Sequence, residues 1–375
     1  MLPRSMTPDV TPDTAGGRLR IDLAALRRNY RHLASLAAPG GCAAVVKANG
    51  YGLGVERVVP ALVEAGCDTF FVARADEGVA LRAIAPRPRV LVLDGVHDGT
   101  LSAMRVNGLV PVLGSLRQIG LWREAGGGEP CAVHVDTGMN RLGLRPDEFA
   151  ALVADGALAG LNVALLMTHP ACADEPDHPL NAVQRERFGA ARALMPDVAA
   201  SYCNSAALLT GGPALDLARP GIALYGGEAV EGRAPLETVA TLEARIVQRR
   251  AVEPGESVGY GATWVAERPT KLAVCAVGYA DGHPRASGTG VPLRGVVPSP
   301  GTGAMGGVRV AVRGRISMDL TIFDITDVPA DIAAANDHIE LIGPSIPLDE
   351  AARAAGTIGY ELLTGLGRRY SRVAV

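Results

Sequence analysis

Short apolar runs rich in β-branched residues recur along the first 220 residues of the chain, with amphipathic stretches between them. The eight runs that predict strands are 42–46, 69–73, 90–93, 109–113, 132–135, 163–168, 198–202 and 215–218. A helix is predicted over 21–36, where Leu23, Leu26, Tyr30 and Leu33 follow helical spacing. Because strands that alternate with helices form parallel sheets, this pattern favours a (β/α)8 barrel, with an open doubly wound sheet as the alternative.

The pattern changes at about residue 241, where β-rich segments are separated by Gly and Pro. The segments include KLAVCAVGYADG, VRVAVRGRISMDLTIFDI and HIELIG, and they predict a mostly antiparallel β domain. We therefore expect a tail at 1–17, a barrel at 18–240 and a β domain at 241–375. Gly301, Gly303 and Gly306 have GxGxxG spacing, but a strand pattern follows them, so we interpret them as turns between strands and not as a dinucleotide site.

Composition narrows the possible partners. A net charge of -3 and the lack of a basic run with interleaved aromatics argue against nucleic acid. No apolar run reaches the ~18 residues of a membrane span, and the first residues carry Pro, Thr and Asp where a signal peptide would be apolar. The sequence therefore predicts a cytoplasmic protein without membrane contact.

The six cysteines are scattered singly, without CxxC spacing, and are expected to be reduced thiols. His169, Cys172, Asp174 and His178 crowd together in THPACADEPDH. Their spacing matches no familiar zinc pattern, so we expect no metal site there.

Polar residues follow several of the predicted strands, at the end where barrel enzymes carry their catalytic groups. They are Lys47 and Tyr51 after the first strand, His134 and Asp136 at the fifth, His169 after the sixth, Asn204 and Ser205 after the seventh, and Arg219 after the eighth. The segments NSAA and RPGIALYG can present hydroxyl and N–H groups to an anion. A lysine, an anion cradle and an arginine together suit a phosphorylated aldehyde cofactor, and pyridoxal 5'-phosphate (PLP) uses all three.

The segment VVKANGYG around Lys47 closely resembles the PLP-attachment motif of alanine racemases. Further segments resemble that family in the same order, covering roughly 21–370: HVDTGMNRLG, MTHPACADE, CNSAA, RPGIALYG, VGYGATW, VGYADG, GRISMD and TIGYELL. The resemblance implies a PLP-dependent isomerase that interconverts L- and D-alanine, supplying or consuming D-alanine for the cell wall. It also implies a barrel plus a β domain, and a homodimer whose active sites are shared between chains.

The resemblance further implies a role for each matching residue. Lys47 would carry the cofactor, and with Tyr260 of the partner subunit it would act as one of two bases on opposite faces of the substrate. Arg219 would face the pyridine nitrogen and keep it unprotonated, since a guanidinium does not readily give up a proton. The other implied cofactor-binding residues are Tyr51, His169, Ser205, Gly221, Ile222 and Tyr360, and the implied substrate-binding residues are Arg141, Met318 and Tyr279.

His134 departs from the family pattern. Many members have at this position a lysine, modified to a carbamate, that orients the arginine corresponding to Arg141. An imidazole cannot carry that modification, so we expect activity that does not respond to bicarbonate. We also expect KM for alanine to rise below about pH 6.5, near the reference pKa of histidine, because protonated His134 would repel Arg141. Alternatively, His134 only fills the barrel interior.

Three other functions compete with alanine racemisation. A broad-specificity racemase would share these residues and differ only in pocket contacts. A non-catalytic PLP-binding barrel would lack the β domain that carries Tyr260. A fold-related decarboxylase would place other groups on that domain, and the Tyr260 motif fits racemisation better.

Overall fold

The computed structural model describes residues 10–11, 13–125, 128–230, 232–289 and 301–375, and the chain divides into two compact units. The barrel unit is Leu23–Glu237, and the β unit combines Met1–Asp22 with Thr238–Val375. This division differs from the predicted one at the N-terminus, because strand β1 (Gly17–Ile21) pairs with strands of the β unit. Most of the predicted tail lies outside the described residues.

The barrel unit alternates short parallel strands with helices. Its strands are β2 (Gly41–Cys42), β3 (Ala44–Val45), β4 (Thr69–Val72), β5 (Arg89–Val92), β6 (Val110–Leu113), β7 (Pro130–His134), β8 (Asn162–Met167), β9 (Ala200–Ser201) and β10 (Leu217–Ala218). Its helices are α1 (Leu23–Ala37), α2 (Lys47–Tyr51), α3 (Val55–Glu64), α4 (Ala75–Ile84), α5 (Leu101–Val106), α6 (Leu116–Glu124), α7 (Pro146–Ala154), α8 (Leu180–Ala193) and α9 (Ser205–Leu209), followed by a 3-10 helix at Ile222–Tyr225. Each predicted strand overlaps an observed one.

Backbone hydrogen bonds close these strands into a ring. Strands β3 to β9 pair in chain order as one parallel sheet, and β10 pairs with β2. Only Ala43 separates β2 from β3, and its N–H donates to the carbonyl of Ala218 at 2.9 Å. The N–H of Asp216 donates to the carbonyl of Ala200 at 3.0 Å, which joins β10 to β9. The predicted (β/α)8 barrel is confirmed, and the open sheet is excluded.

The barrel core follows from the apolar pattern. All residues of β4 and β6 are buried, as expected for parallel strands covered on both faces. Helix α1 buries Leu26, Tyr30 and Leu33, which recur at helical spacing. Full burial of such side chains contributes roughly 1.5–3 kcal/mol each, so this stripe fixes the helix against the barrel unit.

The β unit is built on a mostly antiparallel sheet. Its strands are β1, β11 (Ala240–Val252), β12 (Ser257–Val258), β13 (Trp264–Val265), β14 (Thr270–Cys275), β15 (Thr302–Met305), β16 (Val308–Ala311), β17 (Thr321–Asp324), β18 (His338–Ile342) and β19 (Tyr370–Ala374). The order in the main sheet is β16-β15-β18-β11-β1-β19, and β14 joins β11 to β17. Helices α10 (Ala330–Ala335), α11 (Leu348–Ala354) and α12 (Gly359–Thr364), with 3-10 turns at Tyr260–Ala262, Tyr279–Asp281 and Arg285–Ser287, complete the unit.

Gly306 lies in the turn between β15 and β16, as predicted, whereas Gly303 lies inside strand β15 and pairs with Val310, so the prediction of turns was wrong for Gly303. In the described residues, no helix is both long and apolar enough to cross a membrane.

Candidate active site

Lys47 opens a left-handed turn directly after β3. Residues 48–51 have φ between +53° and +63°, a conformation that costs a non-glycine residue roughly 1–2 kcal/mol. Glu77 holds the turn, since its Oε1 accepts the N–H of Ala48 at 2.7 Å while its Oε2 accepts that of Ala73 at 2.8 Å. One carboxylate thereby ties the lysine turn to the end of the neighbouring strand.

The environment of Lys47 favours the neutral amine. The side chain is partly buried, and its pKa is lowered first by burial and then by the nearby charge of Arg141. Glu77 and Asp94 act in the opposite direction but do not outweigh these effects. A lysine with a lowered pKa is a better nucleophile and proton acceptor near neutral pH.

An anion cradle lies where the loop after β9 meets the loop after β10. Ser205 Oγ accepts the N–H groups of Gly221 at 2.8 Å and Ala223 at 3.4 Å. A Cβ on Gly221 would stand only 2.3 Å from the hydroxyl oxygen of Tyr51, so the close approach requires glycine. In the described part of the chain, the buried N–H of Ile222 takes part in no backbone hydrogen bond. Two hydroxyls and the N–H group of Ile222 thus lie together, and these are the kinds of donor that bind phosphate.

The groups of the cradle are held in place by their neighbours. The Tyr51 ring stacks on Tyr225 with centroids 4.6 Å apart, and the Tyr225 hydroxyl donates to the carbonyl of Val45 at 2.9 Å. Asn204 caps helix α9 by accepting the N–H of Ala207 at 2.9 Å. Packing and capping therefore fix both hydroxyls of the cradle before any ligand binds.

Arg219 is buried, with 4% of its surface exposed, and forms no ion pair with a carboxylate within the described residues. Its guanidinium donates to Ser201 Oγ and, at 2.6 Å, to the carbonyl of Thr168. Burial lowers its pKa to about 10, which still leaves the group charged at neutral pH. Neutral oxygen acceptors therefore hold this cation and leave its charge available to a ligand.

His169 lies beside Arg219, with Nδ1 3.5 Å from an Nη atom of the arginine. Burial first, and then the charges of Arg219 and Arg141, hold its pKa well below the usual value. The imidazole is therefore neutral at physiological pH.

Gln184 supports this histidine from helix α8, and the sequence analysis missed it. Its Nε2 donates at 3.1 Å both to the carbonyl of His169 and to Thr137 Oγ1, which lies 2.8 Å from Thr168 Oγ1. The sequence analysis missed both Gln184 and Glu77 because it searched the strand ends, whereas these two residues lie on helices. A polar residue on the buried face of a helix, as Gln184 is, was the available signal.

His134 lies at the end of β7, and its titration differs from the expected one. Burial first, and then the charge of Arg219, lowers its pKa to about 4. The expected rise of KM below pH 6.5 assumed an imidazole with its reference pKa and needs correction. The sequence could not show how deeply the ring is buried.

Arg141 lies on the loop after β7, exposed and without an ion pair or hydrogen bond in the described residues. Asp136 shapes this loop by accepting the N–H groups of Gly138 and Met139 at 2.9 and 2.8 Å. The charge of Arg141 acts on Lys47 and on both neighbouring histidines. The predicted barrel residues therefore come together at the C-terminal ends of the strands.

The remaining predicted residues lie in the β unit, and each is exposed. Tyr260 is 72% exposed on a turn between β12 and β13, and Tyr360 lies on helix α12. Tyr279 and Met318 are neighbours, since the N–H of Ala280 donates to the carbonyl of Met318 at 3.0 Å. The β unit thus presents aromatic and apolar side chains that its own core does not use.

No group of three or more His, Cys, Asp or Glu residues suited to a metal ion occurs in the part of the chain that is described. The His169–His178 loop is organised instead by Asn181, whose Nδ2 donates to the carbonyls of Cys172 and Glu175, both at 2.9 Å.

These features define a class of two-unit barrel proteins. Its members have a parallel barrel with a lysine, a buried arginine and an anion cradle at its mouth, followed by an antiparallel β unit. Residues 21–229 match the family model "Alanine racemase, N-terminal domain", and residues 239–374 match "Alanine racemase, C-terminal domain". The chain belongs to the alanine racemase family.

Similar proteins agree with this assignment. The chain is 47% identical to the biosynthetic alanine racemase of Agrobacterium fabrum over 95% of this chain and 93% of that protein. It is 43% identical to the catabolic alanine racemase of the same organism, over 96% and 92% of the two chains. The crystal structure of alanine racemase from Bartonella henselae, with covalently bound pyridoxal phosphate, aligns with a TM-score of 0.87 at 35% identity, covering 96% of this chain and 100% of that one.

Proposed function

We propose that this protein is a PLP-dependent racemase that interconverts L- and D-alanine. The observation that carries the proposal is the barrel mouth, where a lysine with a lowered pKa lies in one site with a buried, carboxylate-free arginine. The family assignment and the named activity of the relatives support it. Relatives named for biosynthesis and for catabolism both align over nearly the whole chain, so the proposal extends to D-alanine metabolism in general.

The residues of the barrel fit PLP. The Ser205 and Tyr51 hydroxyls and the N–H groups at Gly221 and Ile222 would hold its phosphate, because they form the cradle that Gly221 keeps open. Arg219 would donate a hydrogen bond to the pyridine nitrogen without protonating it. When bound, PLP supplies an electron-withdrawing ring that acidifies the α-hydrogen of the amino acid.

Lys47 has two tasks in this proposal. Its amine would attach the cofactor, and between attachments its Nζ would hold or return the α-proton on the D-face of the substrate. The lowered pKa suits both tasks, since each needs the neutral amine for part of the cycle. Arg141 would bind the substrate carboxylate, and His169, held neutral, would line the cofactor site without adding positive charge.

The second base would be Tyr260 of the partner subunit, which places a proton on the L-face. The exposed side chains of the β unit support a homodimer, because a second chain would remove these large apolar groups from water. Tyr260, Tyr279, Met318, Ile358 and Tyr360 are all exposed, by 37% to 72%. We propose that these side chains cover the barrel mouth of the second chain, with Tyr279 at the substrate entrance, Met318 near the carboxylate and Tyr360 contributing to the phosphate site.

We also propose a cytoplasmic location. All six cysteines are free thiols, and five of them are buried, which suits a reducing compartment.

A mixing experiment tests the shared site and its two bases together. Lys47→Ala and Tyr260→Phe should each be inactive as purified dimers. Random reassembly of the two variants should restore about a quarter of wild-type activity, since half of the dimers are mixed and each has one intact site. Trapping with borohydride should leave reduced PLP on Lys47 in the wild type and none in Lys47→Ala. No recovery on mixing would contradict sharing between chains, and an adduct on another lysine would contradict the role of Lys47.

A further inference from the structure

We propose that Arg313 is a positioning residue for Tyr260, which it acts on through Trp264. The inference rests on the proposed function, in which Tyr260 moves the α-proton on the L-face. Arg313 itself contacts neither substrate nor cofactor in this proposal. It holds the hairpin β12–β13 that presents the tyrosine.

The hairpin cannot define the position of Tyr260 by its own backbone pairing. Its strands have two residues each, with only Ser257↔Val265 and Val258↔Trp264 in register. Between them, Gly259, Gly261 and Ala262 have φ of +74°, +73° and +45°. A two-stranded ribbon of this length is not stable alone, and left-handed residues add local cost. Contacts from outside the hairpin must therefore hold the turn.

Arg313 supplies such a contact. Its guanidinium carbon lies 5.2 Å from the centroid of the Trp264 ring, which belongs to strand β13. On its other side the guanidinium donates to Asp324 Oδ2 from Nη2 at 3.1 Å and from Nε at 3.3 Å. The Asp324 side chain is 10% exposed, and its Oδ1 accepts from Thr326. The arginine is thus fixed between a held carboxylate on β17 and the hairpin's tryptophan.

The residues next to Arg313 pack against the same hairpin. A Cβ on Gly314 would lie 2.6 Å from the carbonyl oxygen of Val258, and a Cβ on Gly261 would lie 3.0 Å from an Nη atom of Arg315. Trp264 also packs on a small buried cluster that includes Val258. The segment 313–315 therefore supports both strands of the hairpin and the turn.

Tyr260 has no comparable support of its own, since 72% of its surface is exposed. The turn that Trp264 closes therefore sets where its hydroxyl lies. A displacement of about 1 Å from the reacting atom can cost ~10²-fold in rate. Loosening Trp264 should accordingly impair proton transfer at Tyr260 and spare the steps that Lys47 performs.

The test compares Arg313→Lys with Arg268→Lys in the holoenzyme. Lysine keeps the charge and can still pair with Asp324, but it loses the planar fork that stacks on the ring. Arg268 also pairs with a carboxylate, Asp327, in the same unit and is the matched control. Asp324→Asn is the second variant, which keeps the stacking and weakens the anchor.

Two readouts separate positioning from a general loss of structure. The first is the exchange of α-deuterium into solvent from each alanine isomer, with Tyr260→Phe as the reference. Arg313→Lys should slow exchange from L-alanine about tenfold while exchange from D-alanine stays within about twofold. The second is acrylamide quenching of fluorescence, which reports on partly exposed Trp264 because Trp122 is 1% exposed. Quenching should rise in Arg313→Lys and Asp324→Asn but not in Arg268→Lys.

The outcomes distinguish the inference from the function on which it rests. If Tyr260→Phe slows both isomers equally, the assignment of Tyr260 fails and the inference fails with it. If Tyr260→Phe is selective but Arg313→Lys exchanges both isomers at wild-type rates, the inference alone is wrong. Increased quenching with symmetric exchange would also overturn it, because Arg313 would then support the fold without positioning Tyr260.

Discussion

The buried imidazole of His134 should weaken the barrel unit in mild acid, and His134→Gln should remove that weakness. The pKa of His134 is lowered to about 4 in the folded protein, mainly by burial. An unfolded histidine titrates at about 6.5. Between these two pH values the unfolded chain binds a proton at this residue and the folded chain does not. The contribution of His134 to stability is therefore fully present above about pH 6.5 and decreases as the pH falls toward 4.

The size of the effect follows from the two pKa values. At pH 5, about 1.5 units below the pKa of an unfolded histidine, the unfolded chain is protonated at this residue and the folded chain is not. This difference lowers the free energy of unfolding by about 2 kcal/mol. Glutamine cannot titrate. Between about pH 8 and pH 5, the free energy of unfolding should therefore fall by about 2 kcal/mol less in His134→Gln than in the wild type. His169 and His283 also have lowered pKa values, but they are present in both proteins and cancel in the comparison.

Urea unfolding at both pH values measures this difference. Emission from Trp122, buried in the barrel unit, reports unfolding of that unit when Trp264→Phe is the common background. His32→Gln is the matched control, because His32 is an exposed histidine of the same unit. In addition, KM for alanine should not respond to titration of His134 between about pH 8 and pH 5.5.

Two results would refute this reasoning. One is an identical loss of stability in His134→Gln and the wild type. The other is a rise in KM near pH 6.5 that disappears in the variant, since His134 would then titrate near its ordinary value.

Two further predictions concern the cradle and the lysine turn. Gly221→Ala should weaken PLP binding, because the new Cβ would stand 2.3 Å from the Tyr51 hydroxyl. Adding Tyr51→Phe should recover part of the lost affinity, as measured by spectroscopic titration with PLP. Strictly additive effects of the two changes would contradict the contact. Glu77→Gln should destabilise the protein by about 1–3 kcal/mol, because an amide accepts fewer of the N–H groups that the carboxylate now accepts. The same change removes a charge that raises the pKa of Lys47, so borohydride-trapped PLP should form at lower pH than in the wild type, and an unshifted profile would count against that coupling.

The sequence predicted the barrel well because its signal is local. Each parallel strand is a short buried run, and residues such as Lys47 and Arg219 follow directly after their strands. Strand β1 could not be assigned in this way. Its alternating burial fits a strand in either unit, and its partners β11 and β19 lie more than 200 residues away in sequence. Pairing over such distances leaves no trace in local periodicity.

The electrostatics of the site could not be predicted from residue types, because they depend on burial and on neighbours from several strands. His134 is an ordinary histidine in the sequence, and its lowered pKa follows from the barrel around it and from Arg219. Glu77 and Gln184 show the same limit for hydrogen bonds, since each lies on a helix and acts on a loop that follows a different element. Residues that support a site from a distance have no motif.

The lowered pKa values at the barrel mouth share two causes, burial first and the positive charge of neighbouring groups second. Three basic groups, Lys47, Arg141 and Arg219, lie at the site. Arg141 and Arg219 both lower the pKa values of His134 and His169, and Lys47 also lowers that of His169. The two histidines between them stay neutral because a further positive charge would be buried beside existing ones. Basic groups beside an anion cradle are stabilised by anionic ligands. PLP brings a phosphate and alanine a carboxylate, so in the proposed function each ligand relieves part of the repulsion that the folded protein maintains among its own side chains.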